Sequence, residues 1–89
     1  MAVIRFDIQA GRQGVFVLES KIKQIREAIS EIDRQLLAVE AGWDDPRKEI
    51  FFEQYKASRK MAEMTVTQLE TLTRQLAVVV EIFEAADMA

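Results

Sequence analysis

The chain of 89 residues contains no cysteine and no histidine, and it has a single tyrosine. Without cysteine it can form neither a disulfide framework nor a cysteine-ligated metal site. Most enzymes rely on histidine, cysteine or similar groups that exchange protons near neutral pH. Asp44 and Asp45 are the obvious carboxylate pair, but adjacent acids before a helix commonly cap that helix. We therefore predict a protein without enzymatic activity, metal or cofactor.

The chain also lacks an excess of positive charge and a long apolar run. Its net charge is −3, and residues 61–89 carry five acidic residues against Arg74 alone. This balance argues against nucleic-acid binding, which depends on clustered lysine and arginine. The apolar stretch from Leu76 to Met88 is shorter than the roughly 20 residues that a membrane span needs, and Glu81 and Glu84 interrupt it. We therefore expect no membrane insertion.

Glycine and proline are scarce as well: the glycines are Gly11, Gly14 and Gly42, and the one proline is Pro46. Apolar residues before Gly42 recur at steps of three and four, which is the heptad repeat of a packed helix. This first stripe consists of Ile8, Gly11, Val15, Leu18, Ile22, Ile25, Ile29, Ile32, Leu36, Val39 and Trp43. We predict one helix over residues 8–41, whose start is weakened by Gly11 and Gly14 by roughly 1 kcal/mol each relative to alanine.

The segment after Pro46 carries a similar stripe and predicts a second helix over residues 46–87. The stripe consists of Phe51, Tyr55, Ser58, Ala62, Thr65, Leu69, Leu72, Leu76, Val79, Phe83 and Ala86. Near its end the segment is apolar almost all round, so one antiparallel neighbour cannot cover it. We predict a single all-α domain over residues 1–89, a helical hairpin that pairs into a four-helix bundle as a homodimer or with another protein. The expected partner interface includes Leu69, Leu72, Leu76, Val79 and Phe83.

The turn of the hairpin is predicted at residues 42–45. Gly42 favours the left-handed conformation that ends many helices, whereas Asp45 and Pro46 fit the N-cap and first-turn positions of the next helix. Trp43 is the only tryptophan and continues the first stripe, so we expect it to close the top of the core.

A short lead-in precedes the first helix. Val3, Ile4 and Phe6 are apolar and are expected to pack against the hairpin, while Asp7 is expected to cap the helix. Charged residues from Arg5 onward interrupt any signal-peptide pattern, so we expect no cleaved signal peptide.

Five features in this order resemble the WXG-type proteins, which are small helical hairpins of bacterial type VII (Esx) secretion. They are the start Met-Ala-Val-Ile-Arg, the heptad helix, the turn Gly-Trp-Asp-Asp at 42–45, the run Phe-Phe-Glu-Gln-Tyr at 51–55 and the ending Phe-Glu-Ala-Ala-Asp at 83–87. The resemblance covers nearly the whole chain. It implies pairing with another helical protein and an export signal formed by Phe83 and Asp87, which lie four residues apart on one face of a helix.

The chain departs from the family pattern at two positions. Asp45 stands where the Trp-x-Gly turn has glycine, and Phe83 stands where the export motif usually has tyrosine. This combination resembles the WXG-like proteins encoded with LXG-domain toxins, which bind the toxin's helical N-terminal region and help to target it to the secretion machinery. The resemblance thus implies a targeting factor that resides in the bacterial cytoplasm, is secreted by the type VII route, or both.

Two alternatives to the targeting factor stay open at this point. One is a secreted WXG-like effector that acts as a homodimer. The other is a cytosolic antiparallel coiled-coil module that is unrelated to secretion.

Overall fold

The computed structural model describes residues 4–88, which form two long helices joined by a short turn. Helix α1 spans Ile8–Ala41 and helix α2 spans Arg47–Met88. Arg12 contacts Glu84 near one end and Asp33 contacts Tyr55 near the other, so the helices run antiparallel. The molecule measures 66 × 24 × 13 Å. The predicted all-α helical hairpin is therefore confirmed.

The start of α1 is fixed by the residues of the lead-in. The Asp7 carboxylate accepts a hydrogen bond from the Ala10 amide at 3.0 Å, so the predicted N-cap is confirmed. Phe6 packs against α2, as predicted. Ile4 is 85% exposed, and the prediction that it packs on the hairpin is wrong. Val3 lies outside the described residues.

The end of α1 differs from the prediction at Gly42. This residue has φ −100° and ψ 9°, so the expected left-handed conformation is wrong. The Gly42 and Trp43 amides instead donate to the Val39 and Glu40 carbonyls at 3.1 and 3.3 Å. These bonds span three residues and tighten the last turn into a 3₁₀-like shape. They satisfy two terminal carbonyls without a left-handed residue.

The second helix restarts at Asp45. Its carboxylate accepts a hydrogen bond from the Arg47 amide at 2.8 Å, and its carbonyl accepts one from the Lys48 amide at 3.0 Å. These are the contacts of an N-cap residue, and they put Pro46 in the first turn, where its missing amide hydrogen costs nothing.

Two heptad lines of α2 were predicted to face α1. In the structure, one of them lies one residue later in the chain than predicted. Val66, Thr73 and Val80 are buried, whereas the predicted Leu72 is 54% exposed. Thr73 is accommodated because its hydroxyl donates to the Leu69 carbonyl at 2.7 Å, which leaves its methyl group to pack. The prediction is wrong for this line. The other predicted line is half-buried throughout and consists of Tyr55, Ala62, Leu69, Leu76 and Phe83.

The inward line of α1 shifts in the same way as the helix approaches the turn. Ile22 is buried, but Ile32 is 50% exposed and the prediction that it faces α2 is wrong. Asp33 is half-buried instead of Ile32, and Glu40 is half-buried instead of Val39. A straight helix drifts by about 20° per heptad, so a stripe that faces its neighbour near Leu18 has turned away several heptads later.

An aromatic cluster covers the turn end of the hairpin. The Trp43 ring centroid lies 5.5 Å from that of Phe51 and 6.2 Å from that of Phe52, which in turn lies 6.4 Å from Tyr55. Trp43 is half-buried, so it packs at the end of the core without being sealed inside it.

We expect Trp43→Ala to lower the free energy of unfolding by about 2 kcal/mol, which is less than the loss at a fully buried tryptophan because the ring is half-exposed. Trp43→Phe, the matched control, keeps an aromatic ring beside Phe51 and should lose less. Urea unfolding followed by far-UV circular dichroism measures both losses. An unchanged midpoint for Trp43→Ala would contradict the packing role.

Candidate recognition surfaces

One heptad line of α1 consists entirely of charged residues: Arg12, Glu19, Arg26, Asp33 and Glu40. Arg12 pairs with Glu84 at 2.5 Å, and Arg26 pairs with Glu70 at 2.7 Å. Both acids belong to one line of α2, which reads Lys56, Glu63, Glu70, Ala77 and Glu84. Asp33 and Glu40 turn inward near the end of α1, so the outward part of the α1 line is Arg12, Glu19 and Arg26. We call the side of the hairpin formed by these three residues and the α2 line the charged face.

The ion pairs of the charged face are largely open to water. The side chains of Arg12 and Arg26 are more than half exposed. Exposed ion pairs contribute at most about 1 kcal/mol, because water screens the charges and the long side chains lose conformational freedom. The pairs therefore orient the helices more than they stabilise them.

The opposite side of the hairpin carries no charge on its two principal lines. A residue that directly precedes an inward-facing residue is rotated from it by about 100° about the helix axis. In an antiparallel pair, such residues on both helices point to the same side of the hairpin. On α1 this line is Ile25, Ile32 and Val39, and on α2 it is Phe51, Ser58, Thr65, Leu72 and Val79. We call the surface formed by these residues the uncharged face. Lys21 is the one charged residue on the adjoining line of α1.

The uncharged surface continues around the back of α2. Between Ile50 and Ala86, every charged residue lies on three adjacent heptad lines, and the four remaining lines carry none. Several large apolar side chains on those four lines are exposed: Ile50, Met61, Met64, Val78 and Ile82. Exposed apolar side chains that lie close together on a protein surface are typical of sites of protein association.

The five residues of the predicted partner interface divide between two environments. Leu69, Leu76 and Phe83 are half-buried on the line that contacts α1. Leu72 and Val79 lie on the uncharged face, where Leu72 is exposed. The hairpin's own contact thus occupies three of the five residues, and binding of a partner by any of them stays a prediction.

The predicted export pair lies at the end of the hairpin where α1 begins. The Phe83 ring stacks on Phe6 with centroids 5.0 Å apart and an interplanar angle of 27°. Asp87 is exposed one turn later and lines a groove with Arg12, Glu84 and other residues of both helix ends. An acid near a helix C-terminus opposes the helix dipole, and the last turn of α2 holds no basic residue. Asp87 therefore gains nothing from the helix that carries it.

A polar cluster joins the two helices near the turn. The Tyr55 hydroxyl donates to the Asp33 carboxylate, and the Arg59 Nε atom lies 3.0 Å from both carboxylate oxygens. Arg59 also pairs with Glu63 on its own helix. Because these bonds form only when the two helices are aligned, they fix the axial register. Among the described residues, no buried polar side-chain atom lacks a hydrogen-bond partner.

The cluster changes the pKa values of its members. The Tyr55 hydrogen bond, helped by Arg59, holds the pKa of Asp33 below its ordinary value despite partial desolvation. The Asp33 carboxylate is the main cause that raises the pKa of Tyr55 above its ordinary value of 10.0, and Arg59 opposes it weakly. At the turn, the Arg47 side chain and amide hold the pKa of Asp45 low. These shifts follow from hydrogen bonds and ion pairs that hold the two helices and the turn together.

Sequence reasoning missed the contact of Phe6 with Phe83 and the inward position of Arg59. The first left a signal, because Gly11 interrupts the apolar stripe of α1 at the position where the Phe6 ring enters. The inward position of Arg59 left no signal in the sequence, because nothing near Arg59 in the chain indicates that Asp33 of the other helix will pair with it.

Comparison of the chain with models of known families, with curated proteins and with solved structures finds no match. Within residues 4–88, no group of three side chains is arranged to hold a metal ion. Over the same range, neither helix has an apolar stretch long enough to cross a bilayer. The class of the protein is thus defined by its fold, an all-α helical hairpin with one charged and one uncharged face.

We expect Asp33→Asn to lower the pKa of Tyr55 toward 10.0, because the variant removes the negative charge that favours the protonated phenol. Tyr55 is the only tyrosine, so tyrosinate absorbance during an alkaline titration follows this group alone. Asp44→Asn is the matched control and should leave the titration unchanged. Identical curves for both variants would contradict the contact.

The same variant should change the acid stability of the hairpin. The folded-state pKa of Asp33 lies below its unfolded value, so its contribution to stability is present above about pH 4 and is lost as the pH falls through the lowered pKa. Asp33→Asn should therefore show a smaller loss of unfolding free energy below about pH 4 than the parent protein, as measured by urea unfolding at several pH values. Parallel pH dependences would count against the linkage.

Proposed function

We propose that this hairpin is a non-enzymatic targeting factor of type VII secretion, which binds the helical N-terminal region of an LXG-type toxin and supplies an export signal at Phe83 and Asp87. The uncharged face is the observation that carries the binding part of the proposal. The order of the WXG-like sequence features and the position of Asp87 support the targeting part.

The exposed area of the protein supports association with a partner. Its accessible surface is 7445 Å², whereas a compact monomer of its 10.2 kDa mass exposes about 5,300 Å². The excess of about 2,100 Å² lies within the range that each partner buries in a large, permanent complex.

The shape and chemistry of the uncharged face favour a helical partner. The α2 row of the face runs from Phe51 to Val79, about 42 Å at 1.5 Å per residue, and a shorter α1 row runs beside it from Ile25 to Val39, both with heptad spacing. Helices pack into such rows by knobs-into-holes contacts, so a helical hairpin completes a four-helix bundle. A partner that presented charges to this face would bury them without counter-charges, at a large desolvation cost.

Homodimerisation is the second candidate, because an uncharged face lacks the like charges that would repel a second copy. A secreted homodimeric effector and a cytosolic pairing module both need this contact. Light scattering of the purified protein separates the candidates: a mass of 10.2 kDa supports a dedicated partner, and twice that mass supports self-pairing. The mass of the complex isolated from the native cell then identifies the toxin or its absence.

We expect Leu72→Glu to weaken partner binding at least about 100-fold, because it puts an unpaired carboxylate into an apolar interface. Leu37→Glu is the matched control. Leu37 is also exposed, but it follows the inward-facing Leu36 and so lies toward the charged face. Titration calorimetry with the toxin's N-terminal region measures both affinities. Equal weakening by the two variants, or none by Leu72→Glu, would refute docking on the uncharged face.

We expect Asp87→Ala to block export while leaving the fold and partner binding intact, since Asp87 is exposed near the end of α2. Glu81→Ala is the control, because Glu81 is an exposed acid less than two turns away. The measurement is the amount of protein in the culture medium relative to the cell. Normal secretion of the Asp87→Ala variant would contradict the assignment of Phe83 and Asp87 as an export signal.

A further inference from the structure

The Phe6 ring occupies a hollow that exists because residue 11 is glycine. A Cβ atom at Gly11 would lie 2.6 Å from the Phe6 Cζ atom and 2.8 Å from the Val80 Cγ2 atom, which is closer than atoms can approach. Gly11 and Val80 are buried, and Phe83 forms the remaining wall through its stacked ring. The hollow therefore holds one aromatic ring and has no room for a larger residue 11.

The part of the lead-in that delivers this ring buries little besides the ring itself. Of residues 4–6, only Phe6 is half-buried, while Ile4 and Arg5 are exposed. Asp7 caps α1, and its backbone is extended, so the lead-in diverges from the helix axis at this residue. Phe6 can thus leave the hollow by rotation of the backbone before Asp7, without disturbing either helix. Segments with so few buried contacts open at little cost in free energy.

We propose that this hollow is a docking pocket for an aromatic side chain of the export receptor, and that Phe6 fills it in the unbound protein. The identity of the receptor rests on the proposed function. Phe6 of the same chain shows which side chain the pocket accepts, since its phenyl ring fits against Gly11, Val80 and Phe83. A receptor side chain that replaces Phe6 meets the face of the Phe83 ring and lies one helical turn from Asp87.

This arrangement makes recognition conditional. While Phe6 is stacked, one face of the Phe83 ring is inaccessible, and a receptor can reach Asp87 only without its aromatic companion. An attached competitor acts at high effective concentration, so it reduces the affinity of any external ring for the same pocket. Binding becomes strong only for a partner that supplies the ring and reads the acid together.

The pocket is tested with a small probe, N-acetyl-4-fluorophenylalanine amide, whose fluorine NMR signal reports binding. Phe6→Ala empties the pocket, so it should bind the probe at least about tenfold more tightly than the parent protein. The double variant with Phe6→Ala and Gly11→Ala fills the hollow with a methyl group and should lose this gain. Equal probe affinity for the parent and Phe6→Ala would overturn the pocket.

A second variant tests displacement without deleting the ring. Gly11→Ala should expel Phe6, so the fluorine signal of a 4-fluorophenylalanine at position 6 should move to its position in a denatured chain. Gly14→Ala is the control for glycine replacement in the same helix, because a Cβ atom there meets only the flexible end of Leu76 at 3.2 Å. A packed Phe6 signal in Gly11→Ala would overturn the steric argument.

Export measurements separate this proposal from the proposed function. Phe6→Ala should raise export at least about twofold, because it removes the competing ring and leaves the hollow open, whereas Gly11→Ala, whose methyl group fills the hollow, and Gly14→Ala should not. Reduced or unchanged export of Phe6→Ala, with the probe binding as expected, would overturn the receptor role of the pocket. If Asp87→Ala is exported normally, the signal itself fails, while the probe titration still decides whether the pocket exists.

Discussion

Each helix of this hairpin has a single neighbouring helix, and one neighbour covers only one stripe of a helix surface. In the described chain, the buried residues are accordingly few: Gly11, Ile22, Val66, Thr73 and Val80. The molecule is 66 Å long and 13 Å in its thinnest dimension, so no third layer shields the remaining apolar side chains. The exposure of large apolar residues on the uncharged face follows from this geometry and from the length of the heptad repeats.

Polar residues on the inner lines determine how the two helices align. An interface of leucine, isoleucine and valine alone tolerates a shift by one heptad, because the same residue types meet again. Asp33, Tyr55 and Arg59 form their contacts at only one alignment, and a shift would leave Arg59 and Asp33 partly buried without partners. The same logic explains why Thr73 is tolerated at a buried position, since its hydroxyl bonds within its own helix.

The fold was predictable because its signals are local and repeated. The heptad spacing, the Asp7 cap and the Asp45-Pro46 restart each depend on residues close together in the chain. The inner lines were not fully predictable, because hydrophobicity alone selects Leu72 over Thr73 and Ile32 over Asp33. Which of two adjacent residues turns inward depends on the partner helix, through contacts such as that of Arg59 with Asp33.

The candidate site was predictable only in part, for the same physical reason. The four-residue spacing of Phe83 and Asp87 can be read from the sequence, but the stacking of Phe6 on Phe83 joins residues from opposite ends of the chain. Gly42 illustrates the opposite case. A glycine at a helix end suggests a left-handed residue, yet amide bonds to Val39 and Glu40 satisfy the carbonyls in another way.

The positions of the two proposed binding sites make simultaneous use possible. Asp87 lines its groove together with Arg12 and Glu84, whose ion pair belongs to the charged face. A helical partner on the uncharged face therefore leaves this groove open to a receptor. Pairing through the charged face would instead cover Asp87 and break the ion pairs that orient the helices. The proposed targeting role requires the partner and the receptor to bind at the same time, which two surfaces on different sides of the molecule allow.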